Sequence, residues 1–240
     1  MILRKLCALN KDQINFYGTE LGIDSRQYQI TCFGEALKHF DNYPYSIEYK
    51  CNNRGFRGPD WPTDVQELND AIWCIGDSFT FGVGVPYEHT WPYILREKTG
   101  RRTINTSANG VGNTWLVEIA NELFTEIEPK IMVLHWSYTH RRKRHLWDYA
   151  HYQNTTIEED ADLLISCIRE IENNRRNVKI IHSFIPKFHG DCQALYQRIR
   201  NEFPDINSIP YIEPIDYGRD SHHYDKLTAE KFVDNIIELL

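Results

Sequence analysis

Ile75-Gly76-Asp77-Ser78-Phe79-Thr80-Phe81-Gly82 sets a serine between an apolar run and a glycine-rich turn. The run before it, Ala71 to Ile75, is short and uninterrupted, the pattern of a strand buried on both faces of a parallel sheet. Gly82 and Gly84 let the chain turn sharply straight after it. Ser78 is therefore expected at the carboxyl edge of the sheet, where open α/β sheets bind ligands and a backbone N–H can face the ligand. The tripeptide alone is weak, since Gly, Asp and Ser are common turn residues and chance gives Gly-Asp-Ser to about one chain in twenty of this length.

Downstream, helical and strand patterns alternate. Thr90 is placed to cap a helix through Glu97 that Gly100 ends, and Arg102 to Asn105 reads as a short strand. Trp115, Leu116, Ile119, Ala120, Leu123, Phe124 and Ile127 recur at helical spacing until Pro129, and Ile131 to Leu134 is the next strand. Thr156-Ile157-Glu158-Glu159 is a capping box, followed by a strand at Val178 to His182 and a helix over about 192–203. A last short strand is expected near Pro210-Tyr211-Ile212, before a terminal helix from about Thr228. This alternation predicts a parallel sheet with helices on both faces. Residues 1–69 do not share the rhythm, although Tyr45 to Lys50 alternates like a half-exposed strand. They are expected to form an N-terminal extension packed on a main domain of residues 70–240.

The chain's 240 residues suffice for one domain with a sizeable core. A formal net charge of -7 argues against an extended nucleic-acid surface, which needs clustered cations. No apolar run reaches membrane-spanning length, and Met1 to Cys7 lacks the features of a signal peptide, so a cytoplasmic location is expected. The six cysteines show neither Cys-x-x-Cys spacing nor a disulfide framework, and reduced thiols are expected.

Asp220-Ser221-His222-His223 lies in a polar stretch just before the last helix, so in a parallel sheet it falls on the same edge as Ser78. A serine hydroxyl needs an imidazole to take its proton, and the imidazole needs a carboxylate to fix its tautomer. Asp220, three residues before His223, can do this within one loop. His222 is the alternative base, but the spacing favours His223 and leaves His222 on the rim. A metal site built from Asp216, Asp220, His222, His223 and Asp225 ranks below the serine route, because the cluster draws on one loop alone. No cofactor is called for.

Gly76-Asp77-Ser78-Phe79, Gly82-Val83-Gly84-Val85 and Thr90-Trp91-Pro92 together resemble the first block of the SGNH, or GDSL-like, hydrolases, and Asp220-x-x-His223 resembles their last. Asn105 to Gly110 is similar to the second block. The upstream Asn52-Asn53-Arg54-Gly55-Phe56-Arg57-Gly58 is similar to a segment that precedes the nucleophile in one branch of the family. The resemblance covers residues from about 50 to 240. It implies a flavodoxin-like three-layer α/β/α sandwich and ester hydrolysis through an acyl-enzyme. Ser78 would attack the acyl carbon, His223 would shuttle the proton and Asp220 would orient His223. The N–H groups of Ser78 and Gly110 would hold the oxyanion.

One block departs from the family. An asparagine is normal after the third strand, and here that place reads His135-Trp136-Ser137-Tyr138. Ser137 aligns best as the third oxyanion donor, with Asn109 or Asn113 as substitutes; losing one such donor costs about 3 kcal/mol of transition-state stabilisation. Asp77, Trp136 and His222 complete the candidate pocket, with Trp147 a further aromatic candidate. Arg141-Arg142-Lys143-Arg144 reads as a solvated face or, alternatively, as a grip for an anionic substrate group. The expected partner is a small-molecule or glycan ester, and the alternative is a weak or inactive protein of the same fold that binds an acylated or glycan ligand. Oligomeric state has no sequence signal.

Overall fold

The computed structural model describes residues 14–33, 37–141, 156–185, 192–209 and 212–240. Two short strands, β1 (Tyr17–Gly18) and β2 (Tyr49–Lys50), pair antiparallel. Between them lie α1 (Arg26–Phe33) and α2 (Leu37–Asp41), and α3 (Val65–Asp70) leads into the main sheet. That sheet holds β3 (Ile72–Gly76), β4 (Thr103–Ser107), β5 (Ile131–Trp136) and β6 (Lys179–Phe184), all parallel, in the order β4-β3-β5-β6. The intervening helices are α4 (Ser78–Phe81), α5 (Trp91–Thr99), α6 (Asn113–Glu126), α7 (Ile157–Asn174), α8 (Cys192–Glu202) and α9 (Lys226–Glu238).

Side-chain alternation along the strands makes the three layers. Trp73 and Ile75 of β3, with Met132, Leu134 and Trp136 of β5, join α6 and α7 in one core cluster. Ile72 and Cys74, with Ile131 and Val133, join α5 and α9 in the other. The fold is an α/β/α sandwich on a four-stranded parallel sheet. β3 has neighbours on both sides, reached by crossovers in opposite directions, so the strand order reverses at its carboxyl end. Ligand crevices of open α/β sheets form at such a point.

Local details differ from expectation in three places. Thr90 precedes α5, but its hydroxyl donates to Tyr87 O at 2.7 Å and caps no N–H. The terminal helix starts at Lys226, two residues early, because the Asp225 carboxylate accepts from its first N–H. Beside β6 the parallel bridge is made at Ser208, where Ile209 N–H donates to His182 O at 2.8 Å. Proline has no N–H to extend such a ladder, and Pro210 and Tyr211 lie outside the described residues. The Thr156 and Glu159 capping box forms in both directions.

Candidate active site

β3 ends at Gly76, and the chain turns at once into the single turn of α4. Asp77 makes the turn: its Oδ1 accepts from Phe79 N–H at 3.0 Å, and its carbonyl accepts from Thr80 and Phe81. Gly82 closes the turn at φ +82°, a conformation that glycine adopts without a Cβ penalty. Ser78 is therefore held as the first residue of a turn at the sheet edge. Its side chain is buried, and among the described residues no hydrogen bond takes up its backbone N–H.

The second half of the site comes from 216–225. Gly218 N–H donates to His223 O at 2.7 Å and Tyr217 bridges Tyr224, which folds these residues into a tight loop ahead of α9. At its tip Asp220 Oδ1 accepts from the N–H groups of His222 and His223, each at 3.0 Å. Its Oδ2 lies 2.6 Å from His223 Nδ1, and His223 Nε2 lies 2.8 Å from Ser78 Oγ. Burial works against the Asp220 charge, but the His223 imidazole and the two loop N–H groups outweigh it and hold the carboxyl below its ordinary value. An ionised carboxylate only accepts, which assigns the proton to His223 Nδ1 and leaves Nε2 to accept from the Ser78 hydroxyl.

Phe79 packs against His223, with the ring centroids 4.5 Å apart. Exposed His222 sits on the rim, with its Nε2 3.2 Å from the Tyr138 hydroxyl. Gly110, at φ +76°, follows β4, whose last residue pairs in register with Gly76. Its N–H also has no hydrogen-bond partner among the described residues.

Searches of family models and of curated proteins find no match. Solved structures do match. TesA aligns over 71% of this chain and 97% of its own, at 13% identity and TM-score 0.53. A family two carbohydrate esterase from Clostridium thermocellum, solved with cellohexaose, aligns over 72% of this chain and 66% of its own, at 14% identity and TM-score 0.51. The chain has the SGNH/GDSL-like hydrolase fold. A further carbohydrate esterase, described as having divergent catalytic and non-catalytic binding functions, aligns over 71% of this chain and 68% of its own, at 13% identity and TM-score 0.50.

Within this SGNH-like fold, several candidate residues take other places. Trp136 is not in the pocket: it is fully buried in the α6/α7 core, where its indole N–H donates to His182 Nδ1 at 3.0 Å. The reason is parity, because β5 alternates and Trp136 shares a face with Met132 and Leu134. Ser137 is not free to donate to an oxyanion, since its one hydroxyl proton is shared between Asp77 Oδ2 at 2.7 Å and Val111 O at 2.9 Å. Asn113 brackets the Ser137 backbone, accepting from its N–H and donating to its carbonyl. The half-buried Asn109 lays its amide against Gly22.

Arg141 was the unexpected arrival. Its Nη1 donates to Asp77 Oδ2 at 2.7 Å and to Ser137 Oγ at 3.1 Å, and the guanidinium lies over the Tyr138 ring. The basic run was its only sequence signal; Arg142, Lys143, Arg144 and Trp147 lie outside the described residues. The carboxylates of the alternative metal site are engaged separately. Asp216 caps α9 through Leu227 and Thr228, while Asp225 holds His89 and Tyr43. Among the described residues no helix is long and apolar enough to cross a membrane.

Proposed function

We propose that the protein is a serine-dependent carboxylic ester hydrolase working through an acyl-enzyme. The observation that carries this reading is the continuous hydrogen-bonded line from Ser78 Oγ through the His223 ring to Asp220. His223 Nε2 takes the hydroxyl proton as Ser78 Oγ attacks the acyl carbon, and the proton then passes to the departing alcohol. Asp220 stabilises the imidazolium that forms in between. Water, deprotonated by the same imidazole, releases the acid and restores Ser78. The N–H groups of Ser78 and Gly110 are the proposed oxyanion donors, both left free by the turns that carry them. A short acyl group on a carbohydrate, lipid or other alcohol is the substrate class, and the carbohydrate esterase neighbours favour a glycan ester.

A second reading has one observation in its favour. With the Ser137 proton committed to Asp77 and Val111, the usual third oxyanion donor is missing, which suits a cleft that binds an acylated ligand and turns it over weakly. Hydrolysis of p-nitrophenyl esters from acetate to octanoate by wild type, Ser78→Ala and His223→Ala tests both. Turnover lost in both variants, with fast fluorophosphonate labelling of wild-type Ser78, supports the hydrolase. Equal rates in all three folded proteins, with no labelling, would sink it.

A further inference from the structure

Four residues close a ring of hydrogen bonds around the back of the site. Tyr49 Oη donates to Asp24 Oδ2 at 2.5 Å and accepts from Gly84 N–H at 2.8 Å. Gly84 O accepts from Arg219 N–H at 2.7 Å. The Arg219 guanidinium completes the ring on Asp24, Nε to Oδ1 at 2.8 Å and Nη2 to Oδ2 at 2.7 Å. Gly84 belongs to the turn that follows Ser78, and Arg219 directly precedes Asp220. Asp24 and Tyr49 come from the chain ahead of the main sheet, so the ring ties three distant segments together.

The ring is built to be stiff. Asp24 and Tyr49 are fully buried, and the Arg219 side chain is 14% exposed. Its guanidinium lies 4.5 Å from the Phe40 ring centroid and also donates to Thr19 O. His39 Nε2 grips Gly218 O at 2.9 Å on the same loop. A two-point carboxylate–guanidinium pair fixes angle as well as distance.

We propose that Asp24, with Tyr49 as its relay to Gly84, is a positioning residue that sets the separation between Ser78 and the Asp220–His223 pair. It touches neither substrate nor reacting atoms and acts by holding the two loops in register. The proposal rests on the reading of Ser78 and His223 as the reacting pair.

The test uses wild type, Tyr49→Phe, Asp24→Asn and the double variant Asp24→Asn/Arg219→Gln, which leaves no unpaired buried charge. Three quantities are read: kcat and KM on p-nitrophenyl acetate per fluorophosphonate-labelled serine, the chemical shift of the His223 Nδ1 proton by NMR, and thermal unfolding. The expectation is a fall in kcat of about tenfold in Asp24→Asn, within the roughly 100-fold that a 1 Å misplacement costs, with KM near wild type. A smaller fall is expected in Tyr49→Phe. The low-field Nδ1 proton of His223 should move upfield in both, because a longer hydrogen bond to Asp220 deshields it less. If Asp24→Asn does not fold, Tyr49→Phe decides in the same way. Folded variants that lose only thermal stability, with wild-type kcat per labelled serine and an unmoved His223 Nδ1 proton, overturn the proposal. A wild type without ester turnover whose His223 Nδ1 proton still moves on Tyr49→Phe removes the hydrolase reading and keeps the clamp.

Discussion

Gly84 lies flat against the Asp220 carboxylate: a Cβ built on Gly84 would stand 2.8 Å from Asp220 Cγ and 2.9 and 3.0 Å from its two oxygens. The backbone there holds φ +79°, in the left-handed region. Glycine is therefore required twice at this contact, for its backbone and for its missing side chain.

Gly84→Ala is expected to push Asp220 off His223. Strain from the positive φ costs about 1 kcal/mol, and on the proposed hydrolase reading displacement of Asp220 lowers kcat by roughly tenfold or more. Gly100→Ala is the matched control, with φ +67° and open space around the new methyl. It should lose similar stability and keep full ester turnover, measured as kcat beside thermal unfolding.

His135 is buried between the Ser183 hydroxyl, at 2.8 Å from Nδ1, and Tyr224. Burial pushes its pKa down to about 4, against a smaller opposing pull from Asp77. As pH falls below about 6.5 the unfolded chain takes up a proton that the folded protein refuses until about pH 4. Folding stability should therefore decline across that window, by on the order of 3 kcal/mol from this residue. Urea unfolding of wild type and His135→Gln at pH 7 and pH 4.5 checks it, the variant showing the shallower decline.

Arg57 is fully buried, and among the described residues no carboxylate pairs with it. Its guanidinium instead binds the carbonyls of Phe81, Gly82, Val85 and Glu48 and lies over the Tyr49 ring. Arg57→Met should destabilise by about 2–4 kcal/mol, since it strips donors from buried carbonyls in the turn that carries Ser78. Arg57→Lys should recover little, because a point ammonium cannot match the planar fork. Chemical denaturation of the three proteins would give the order directly.

Asp77 has no exposure, and Arg141 is its only ion-pair partner among the described residues. Arg141→Gln leaves that carboxylate uncompensated, at an expected loss of about 3 kcal/mol. Asp77→Asn combined with Arg141→Gln should lose less than the two single changes summed, by about 1 kcal/mol or more. Additive losses in a double-mutant cycle would show that the pair does not couple.

The neighbourhood of Ser78 was legible because short-range signals agree there. A short apolar run bounded by a glycine-rich turn reads as a buried strand, and Asp77 and Gly82 supply the turn chemistry locally. Asp220 and His223 were legible as a pair because three-residue spacing within one loop brings a carboxylate to an imidazole. The Asn52 to Gly58 segment was recognisable in outline. Its work was not, since Asn52 Oδ1 folds it through Arg54 and Phe56 N–H so that Arg57 reaches a turn some 25 residues away.

Trp136 and Ser137 mark where sequence reading stops. Which face a strand residue takes depends on where the strand begins, and one step of register separates the pocket from the core. Whether a hydroxyl is free depends on what stands beside it, and Asp77 and Val111 come from different segments. Asp24 and Arg219 are farther apart still, 195 positions along the chain, with no motif at either end. Periodicity and turn chemistry are local properties, so the sequence by itself determined the strand–helix alternation, the sheet edge that carries Ser78 and the Asp220–His223 pair. Contacts across the fold are properties of packing. Only the tertiary structure decided that Arg141 stands on Asp77, that Trp136 faces inward, and that Asp24 closes a ring behind the two loops.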